Sequence, residues 1–330
     1  MISYYRDEDG WIQLTDTPDK GAWVHVEEPD EAEIELLADE FGVPRAFLTA
    51  ALDQREVART DSKRDVHMVI VRAPYDFGAD DRVPFRSVPL AMIATPDNFI
   101  TVCNKPIDFV RELNYSYQDE ELHTHRAGRM ILAILDVVGE WFLLYLEEID
   151  KRMEDVEHRL KHSIENSEML ELLSYEKSLV YIKTGLEWND QMVQHLQDKS
   201  HYAWDDTDKE MFADVRIEYR QGFFMAQTML EVLEATTEAF ASLISNNLNI
   251  VMKFLAAVTI VLTMPMIVAS IYGMNVDLPG DSYPGMYMVL MIISAALTLG
   301  VAWWFQRRGW LSFHWRRSTR PSTKDGGSDA

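Results

Sequence analysis

Thr259, Thr263, Ser270 and Asn275 recur at intervals of four, seven and five residues, and the first three lie in a stretch, Phe254 to Met274, that carries no charged side chain. On a helix this spacing places Thr259, Thr263 and Ser270 near one stripe, with Asn275 just beyond its end. Small neutral polar groups in an apolar segment either line a polar path or let neighbouring helices pack closely in lipid, and spacing alone leaves both open. Pro265, in the middle of the stretch, removes a backbone donor and favours a kink. The segment closes on Tyr272-Gly273-Met274-Asn275.

Other candidate chemistry is sparse. The chain holds 54 Asp and Glu against 31 Lys and Arg, a formal net charge of −23. That balance repels a polyanion and argues against a nucleic-acid partner; it suits a cation-rich setting or simply keeps a surface solvated. No carboxylate stands in a recognisable catalytic spacing. There is no glycine-rich phosphate loop, nucleophile elbow or metal-protease helix, so an enzyme is not expected and no organic cofactor is implied. His158 and His162 lie one helical turn apart and read either as a zinc pair or as a solvated helix face; His123 and His125 carry the same two readings. Cys103 is the only cysteine, which excludes an intrachain disulfide and a cysteine-based zinc site. Its apolar run, Phe99 to Val102, predicts a buried thiol.

The elements that must position the polar stripe follow from hydropathy and charge. Phe254 to Met274 and Gly285 to Phe305 are both free of charge. At about 1.5 Å of rise per residue each reaches roughly 30 Å, the thickness of a hydrocarbon core. The connection from Asn275 to Pro284 contains no Lys or Arg, whereas Lys253 precedes the first span and Arg307, Arg308, Arg316, Arg317 and Arg320 follow the second. The positive-inside rule then predicts both termini in the cytoplasm and the short loop outside, with Trp303, Trp304 and Trp310 as interfacial anchors against membrane lipid. The N-terminus lacks the apolar stretch of a secretory signal. The second span has fewer polar residues, Ser294 and Thr298, which favours the first as the pore-facing one.

Ahead of the spans, residues 1–127 read as a mixed α/β domain. Its strands are expected at Met1–Tyr5, Trp11–Leu14, Trp23–Val26, Val66–Ala73, Ser87–Ala94 and Asn98–Cys103, with a turn at Thr95-Pro96-Asp97. Helices are expected at Glu31–Phe41, begun by Asp30 and closed by Gly42, and at Arg45–Leu52. Residues 128–206 read as a helical hairpin; its first helix carries Ile131, Leu135, Val138, Phe142, Leu146, Ile149, Met153, Val156 and Leu160 on one apolar stripe. A stalk helix covers 207–274 and continues into the first span (254–274), followed by an external loop at 275–284, a second span at 285–305 and a basic tail at 306–330. Unbroken, the stalk helix would be on the order of 100 Å long and would need partners along its length. Such continuity suits either a sensor coupled to a gate or a rigid stalk.

The Tyr-Gly-Met-Asn sequence at the outer end of a first span, with a short loop and a second span after it, resembles the signature of the CorA family of divalent-cation (Mg²⁺/Co²⁺/Ni²⁺) transporters. Trp23–Gly42 (WVHVEEPDEAEIELLADEFG), Leu173–Leu186 (LSYEKSLVYIKTGL) and Asn249–Leu255 (NIVMKFL) also look like this family, and the resemblance is weakest between about Asn104 and Arg126. It implies a homopentamer in the cytoplasmic membrane, with an α/β funnel and a central pore formed by the first spans. Copies of Gly273, Met274 and Asn275 would form the selectivity filter, with Asn275 ringing the outer mouth and Gly273 permitting a sharp backbone change. Mg²⁺ dehydrates reluctantly, so neutral carbonyl oxygens can hold its water shell without trapping the ion. Below the filter the implied pore positions are Asn249, Met252, Leu255, Thr259, Thr263, Met266 and Ser270, with Leu255 and Ala256 both candidates for the apolar constriction. Asp277 and Asp281 would raise the local cation concentration outside the mouth.

The resemblance also implies a regulatory Mg²⁺ bound between cytoplasmic domains that holds the pore closed. Asp214 matches the acidic position on the stalk, and Asp76, Asp80 or Asp81 of a neighbouring subunit are candidate partners. Two other readings stand beside this one. A Zn²⁺ transporter of the same superfamily would often replace the methionine that is Met274 here, and a membrane-anchored structural or sensory protein would pass no ions.

Overall fold

The computed structural model describes residues 1–8, 11–79, 81–117, 122–162, 166–199, 202, 204–275 and 284–311. The chain divides into two compact units, Met1–Thr236 and Thr237–Ala330.

The first unit is built on one seven-stranded sheet in the order β2-β1-β3-β7-β6-β5-β4. In chain order the strands are β1 (Ile2–Glu8), β2 (Trp11–Thr15), β3 (Trp23–Glu27), β4 (Arg59–Lys63), β5 (Val66–Asp76), β6 (Phe85–Ala94) and β7 (Phe99–Cys103). β3 and β7 pair in parallel with Trp23 opposite Phe99, and all the other pairs are antiparallel. The central strands are covered on both faces, which is why β7 reads as an unbroken buried run, Phe-Ile-Thr-Val-Cys. β4 (Arg-Thr-Asp-Ser-Lys) has no apolar alternation and is not announced by the sequence. As a charged edge strand it needs none, and its charges discourage pairing with a further chain.

One face of the sheet (Val24, Val26, Met68, Ile70, Ala91, Ile93, Ile100, Val102) packs under α1 (Glu31–Asp39) and α2 (Arg45–Leu52) through Leu37, Phe47 and Leu48. Burial of each such side chain contributes about 1.5–3 kcal/mol. Asp30 caps α1 in a reciprocal capping box with Glu33. The other face lies against α4 (Ala127–His162) and α5 (Asn166–Gln197). Asn189 on α5 clamps both backbone groups of Arg72 in β5, at 2.8 Å each. A Cβ on Gly185 would sit 2.8 Å from Ser87 Oγ, so glycine is what lets α5 lie this close to β6. α3 (Phe109–Ser116) stands at the start of the linker into α4 and, like β4, lacks a sequence signal strong enough to predict it.

The predicted apolar stripe of α4 is buried from Ile131 to Leu160. α6 (Asp206–Tyr272) begins in the same unit and packs on it: Tyr219 is fully buried and its hydroxyl donates to Leu135 O at 2.7 Å. α6 continues without a break into the second unit, where α7 (Met286–Arg307) completes the described helices. Both are long and apolar enough to cross a membrane. Their most apolar windows are only 6% buried within the chain, so neither is a core helix that this chain covers by itself.

Candidate ion path and acidic cleft

α6 stays helical through Tyr272 and then turns. Gly273 N–H donates to Ala269 O at 2.9 Å and Met274 N–H to Ile271 O at 3.4 Å. Among the described residues, the glycines in the left-handed region are Gly21, Gly42, Gly78 and Gly309; Gly273 is not one of them. A Cβ there would lie 3.1 Å from the Ala269 carbonyl oxygen, the same oxygen one turn back that accepts the Gly273 N–H. Gly273, Met274 and Asn275 are all exposed, as are Asn249, Met252, Leu255, Thr259, Met266 and Ser270, while Thr263 is half-buried. Thr259 Oγ1 donates to Leu255 O and Thr263 Oγ1 to Ile260 O, each at 2.8 Å. With its proton committed to its own helix, each hydroxyl presents an oxygen acceptor, the polarity a hydrated cation needs. Asp277 and Asp281 lie outside the described residues.

The first unit holds a cleft of about 530 Å³ lined by Glu112 of α3, Asp136 and Glu140 of α4, and Glu210 and Asp214 of α6, with Tyr117 and Arg129 at its wall. Arg129 is committed to Asp208 at 3.2 Å, and Tyr117 donates its hydroxyl to Asp136 Oδ2 at 2.7 Å. Glu218 follows Asp214 by one turn of α6, and its Oε2 is buried without a hydrogen-bond partner. Burial first, and then the charges of Asp136, Glu140 and Asp214, push the Glu218 carboxyl up to about 7. Glu140 is raised in the same way by burial and by Asp136 and Glu112. The acidic pairs Asp136/Glu140 and Asp214/Glu218, each four residues apart on its helix, are places where a proton or a hard cation with oxygen ligands would lessen like-charge repulsion.

Asp76 is not in this cleft. It stands at the end of β5, 3.7 Å from Arg152, and accepts the Gly78 N–H at 2.7 Å. Asp81 pairs with Arg86 at 3.1 Å, and Asp80 lies outside the described residues, as does the side chain of His162. Within one chain, Asp214 therefore meets Asp136, Glu140 and Glu218 rather than any of the β5-end carboxylates. Sequence reasoning missed these three because acidic residues are abundant. The available signal was a like-charged pair at i, i+4 on each of two helices, an arrangement that costs a helix stability unless something binds it.

Residues 18–308 match the family described as CorA-like Mg²⁺ transporter protein. The chain belongs to the CorA-like Mg²⁺ transporter family. It is 24% identical over 293 residues to the cobalt/magnesium transport protein CorA of Methanocaldococcus jannaschii, covering 88% of this chain and 91% of that one. The complete structure of the CorA magnesium transporter from the same organism superposes with a TM-score of 0.80 at 22% identity, over 94% of this chain and 98% of that chain. The cytoplasmic domain of ZntB from Vibrio parahaemolyticus shares the fold more distantly, with a TM-score of 0.55 at 13% identity over 75% of this chain and 97% of that domain.

CorA-like membership gives the chain divalent-cation transport as its function, and its relatives are transporters rather than enzymes. The fold is the one expected: an α/β unit, long helices and two C-terminal apolar helices. The CorA-like match runs through Trp23–Gly42, Leu173–Leu186, Asn249–Leu255 and the Gly-Met-Asn signature.

Proposed function

We propose that the chain conducts Mg²⁺, with Co²⁺ and Ni²⁺ as surrogates, across the cytoplasmic membrane through a path lined by the membrane part of α6. The observation that carries this reading is the close of α6 on exposed Gly273-Met274-Asn275, above the hydroxyls of Thr259 and Thr263, whose protons are already committed. Copies of the Asn275 amide and neighbouring carbonyls hold the water shell of an ion that gives up water slowly. Asn249, Met252, Leu255, Thr259, Thr263, Met266 and Ser270 line the path below. Both termini are cytoplasmic.

A path of this kind needs several copies of α6, and the homopentamer implied by the signature supplies them. Exposed Leu144, Ile217, Phe224 and Val232 on the helices of the α/β unit support such self-association. Asp214 and Tyr272 belong to one uninterrupted helix. We place regulatory Mg²⁺ at the acidic cleft, with Asp214, Asp136 and Glu140 as its oxygen donors, where occupancy biases α6. Asp76 enters only as a donor from a neighbouring copy, at the expense of its ion pair with Arg152.

Mg²⁺ uptake into proteoliposomes tests the path: the wild type transports, and Asn275→Ala loses on the order of tenfold or more. Undiminished uptake in the variant would remove the filter, and no uptake in the wild type would leave the spans as an anchor. Protease protection of the α/β unit tests the cleft. It should rise with Mg²⁺ in the wild type and lose that response in Asp214→Lys.

A further inference from the structure

Away from the ion path and the cleft, the first unit brings together two imidazoles and a carboxylate. Asp7 lies on β1, and His123 and His125 lie in the segment between α3 and α4. His123 Nδ1 is 2.8 Å from Asp7 Oδ2. The His123 and His125 rings stack with centroids 5.2 Å apart. One ligand atom from each of the three residues falls within 4.8 Å of the other two.

The carboxylate is held in place by its other oxygen. The backbone N–H of Thr124 donates to Asp7 Oδ1 at 3.0 Å, and the Thr124 hydroxyl, itself fully buried, lies 2.7 Å from the same oxygen. Asp7 Oδ2 is thereby aimed at the histidines. Orienting a metal-binding carboxylate through its second oxygen is how protein sites fix ligand geometry.

We propose that Asp7, His123 and His125 form a binding site for a divalent metal ion that takes imidazole nitrogen, the class of Zn²⁺, Co²⁺ and Ni²⁺, and that this site discriminates against Mg²⁺. Mg²⁺ prefers an octahedron of oxygens and retains its waters, whereas two histidines and one carboxylate are a zinc-type ligand set with a position left for water. The geometry is close to what such an ion requires. With bonds of about 2.0–2.1 Å, a tetrahedral site has ligand–ligand edges of about 3.3 Å. The Asp7–His123 pair is already within that edge. His125 is exposed and closes the remaining gap by turning its side chain. The bound ion would pin β1 to the entrance of α4, far in sequence from the transport signature and chemically distinct from it.

The test uses untagged full-length protein in detergent with a large excess of Mg²⁺, which occupies the all-oxygen sites of the ion path and cleft. Titration with Co²⁺ should give the visible absorption of a nitrogen-ligated ion at one equivalent per chain. Zn²⁺ should displace it. His125→Ala, a change at an exposed side chain that leaves the fold intact, should weaken Co²⁺ binding by about tenfold or more, and Mg²⁺ uptake should be unchanged. A Co²⁺ signal that excess Mg²⁺ abolishes, or one retained at full strength in His125→Ala, would overturn the proposal. Either result would leave the transport reading untouched, because that reading is tested by Asn275→Ala.

Discussion

The two units of this chain treat apolar surface in opposite ways. In the α/β unit, Trp23, Val69, Leu90 and Phe99 are buried to 1% exposure or less by the chain itself, and Trp23 Nε1 still finds Thr101 Oγ1 at 2.8 Å. In the C-terminal unit, Leu262, Met266 and Leu299 are each about two-thirds exposed, in helices whose apolar windows reach a mean hydropathy above 2. One core is completed by the sequence alone. The other is completed only by something apolar outside the chain, which for helices of this length and composition means lipid.

The sharpest way to break this comparison is to cut the same kind of bulk from each unit. Trp23→Ala should cost about 3–5 kcal/mol in denaturant unfolding, because it leaves a cavity and takes from Thr101 Oγ1 one of its two partners, His25 Nδ1 at 2.7 Å being the other. Leu262→Ala, measured in the same detergent-solubilised protein, should leave the unfolding of the α/β unit unchanged. Equal losses would mean that the exposed helix surface is packed against the protein after all.

A second test asks what covers the C-terminal helices. Leu297, near the middle of α7, is half-exposed. Placing a charge there by Leu297→Arg should cost about 2.5–3.5 kcal/mol of apparent insertion free energy in a translocon assay, the central-position value for a membrane span. Insertion as efficient as wild type would contradict lipid as the solvent of α7.

Legibility in the sequence tracks this same division. The spans were readable because an uninterrupted apolar stretch is a one-dimensional signal, and the α4 stripe was readable because its period matches a helix. The central strands were readable from their apolar runs. β4 and α3 were not, since an edge strand of Arg-Thr-Asp-Ser-Lys and a short helix owe their form to neighbours rather than to their own pattern. The Gly-Met-Asn signature was readable from its letters and its place at the end of a span. The acidic cleft was legible only as Asp214. Its other carboxylates come from α3, α4 and the preceding turn of α6, and apart from the acidic pairs at i, i+4 the sequence does not say which of 54 carboxylates converge.

The smallest effect expected concerns that convergence. The Glu218 carboxyl, with an ordinary value of 4.5, is raised to about 7 by burial and by Asp136, Glu140 and Asp214. Between those two pH values the folded chain holds a proton that the unfolded chain has released. Stability must therefore fall as pH rises through this window and level off above it. Because Glu218 is only half-buried, solvent screens part of the repulsion and the change in melting temperature should be modest. Glu218→Gln removes the ionisation: it should melt above the wild type at pH 8 and together with it near pH 5. Mg²⁺ at pH 8 should narrow the difference, since a cation in the cleft does for the carboxylates what a proton does at lower pH. Melting curves whose separation is the same at both pH values would mean that Glu218 is not held near neutrality by its neighbours. The cleft would then be an ordinary solvated acidic surface.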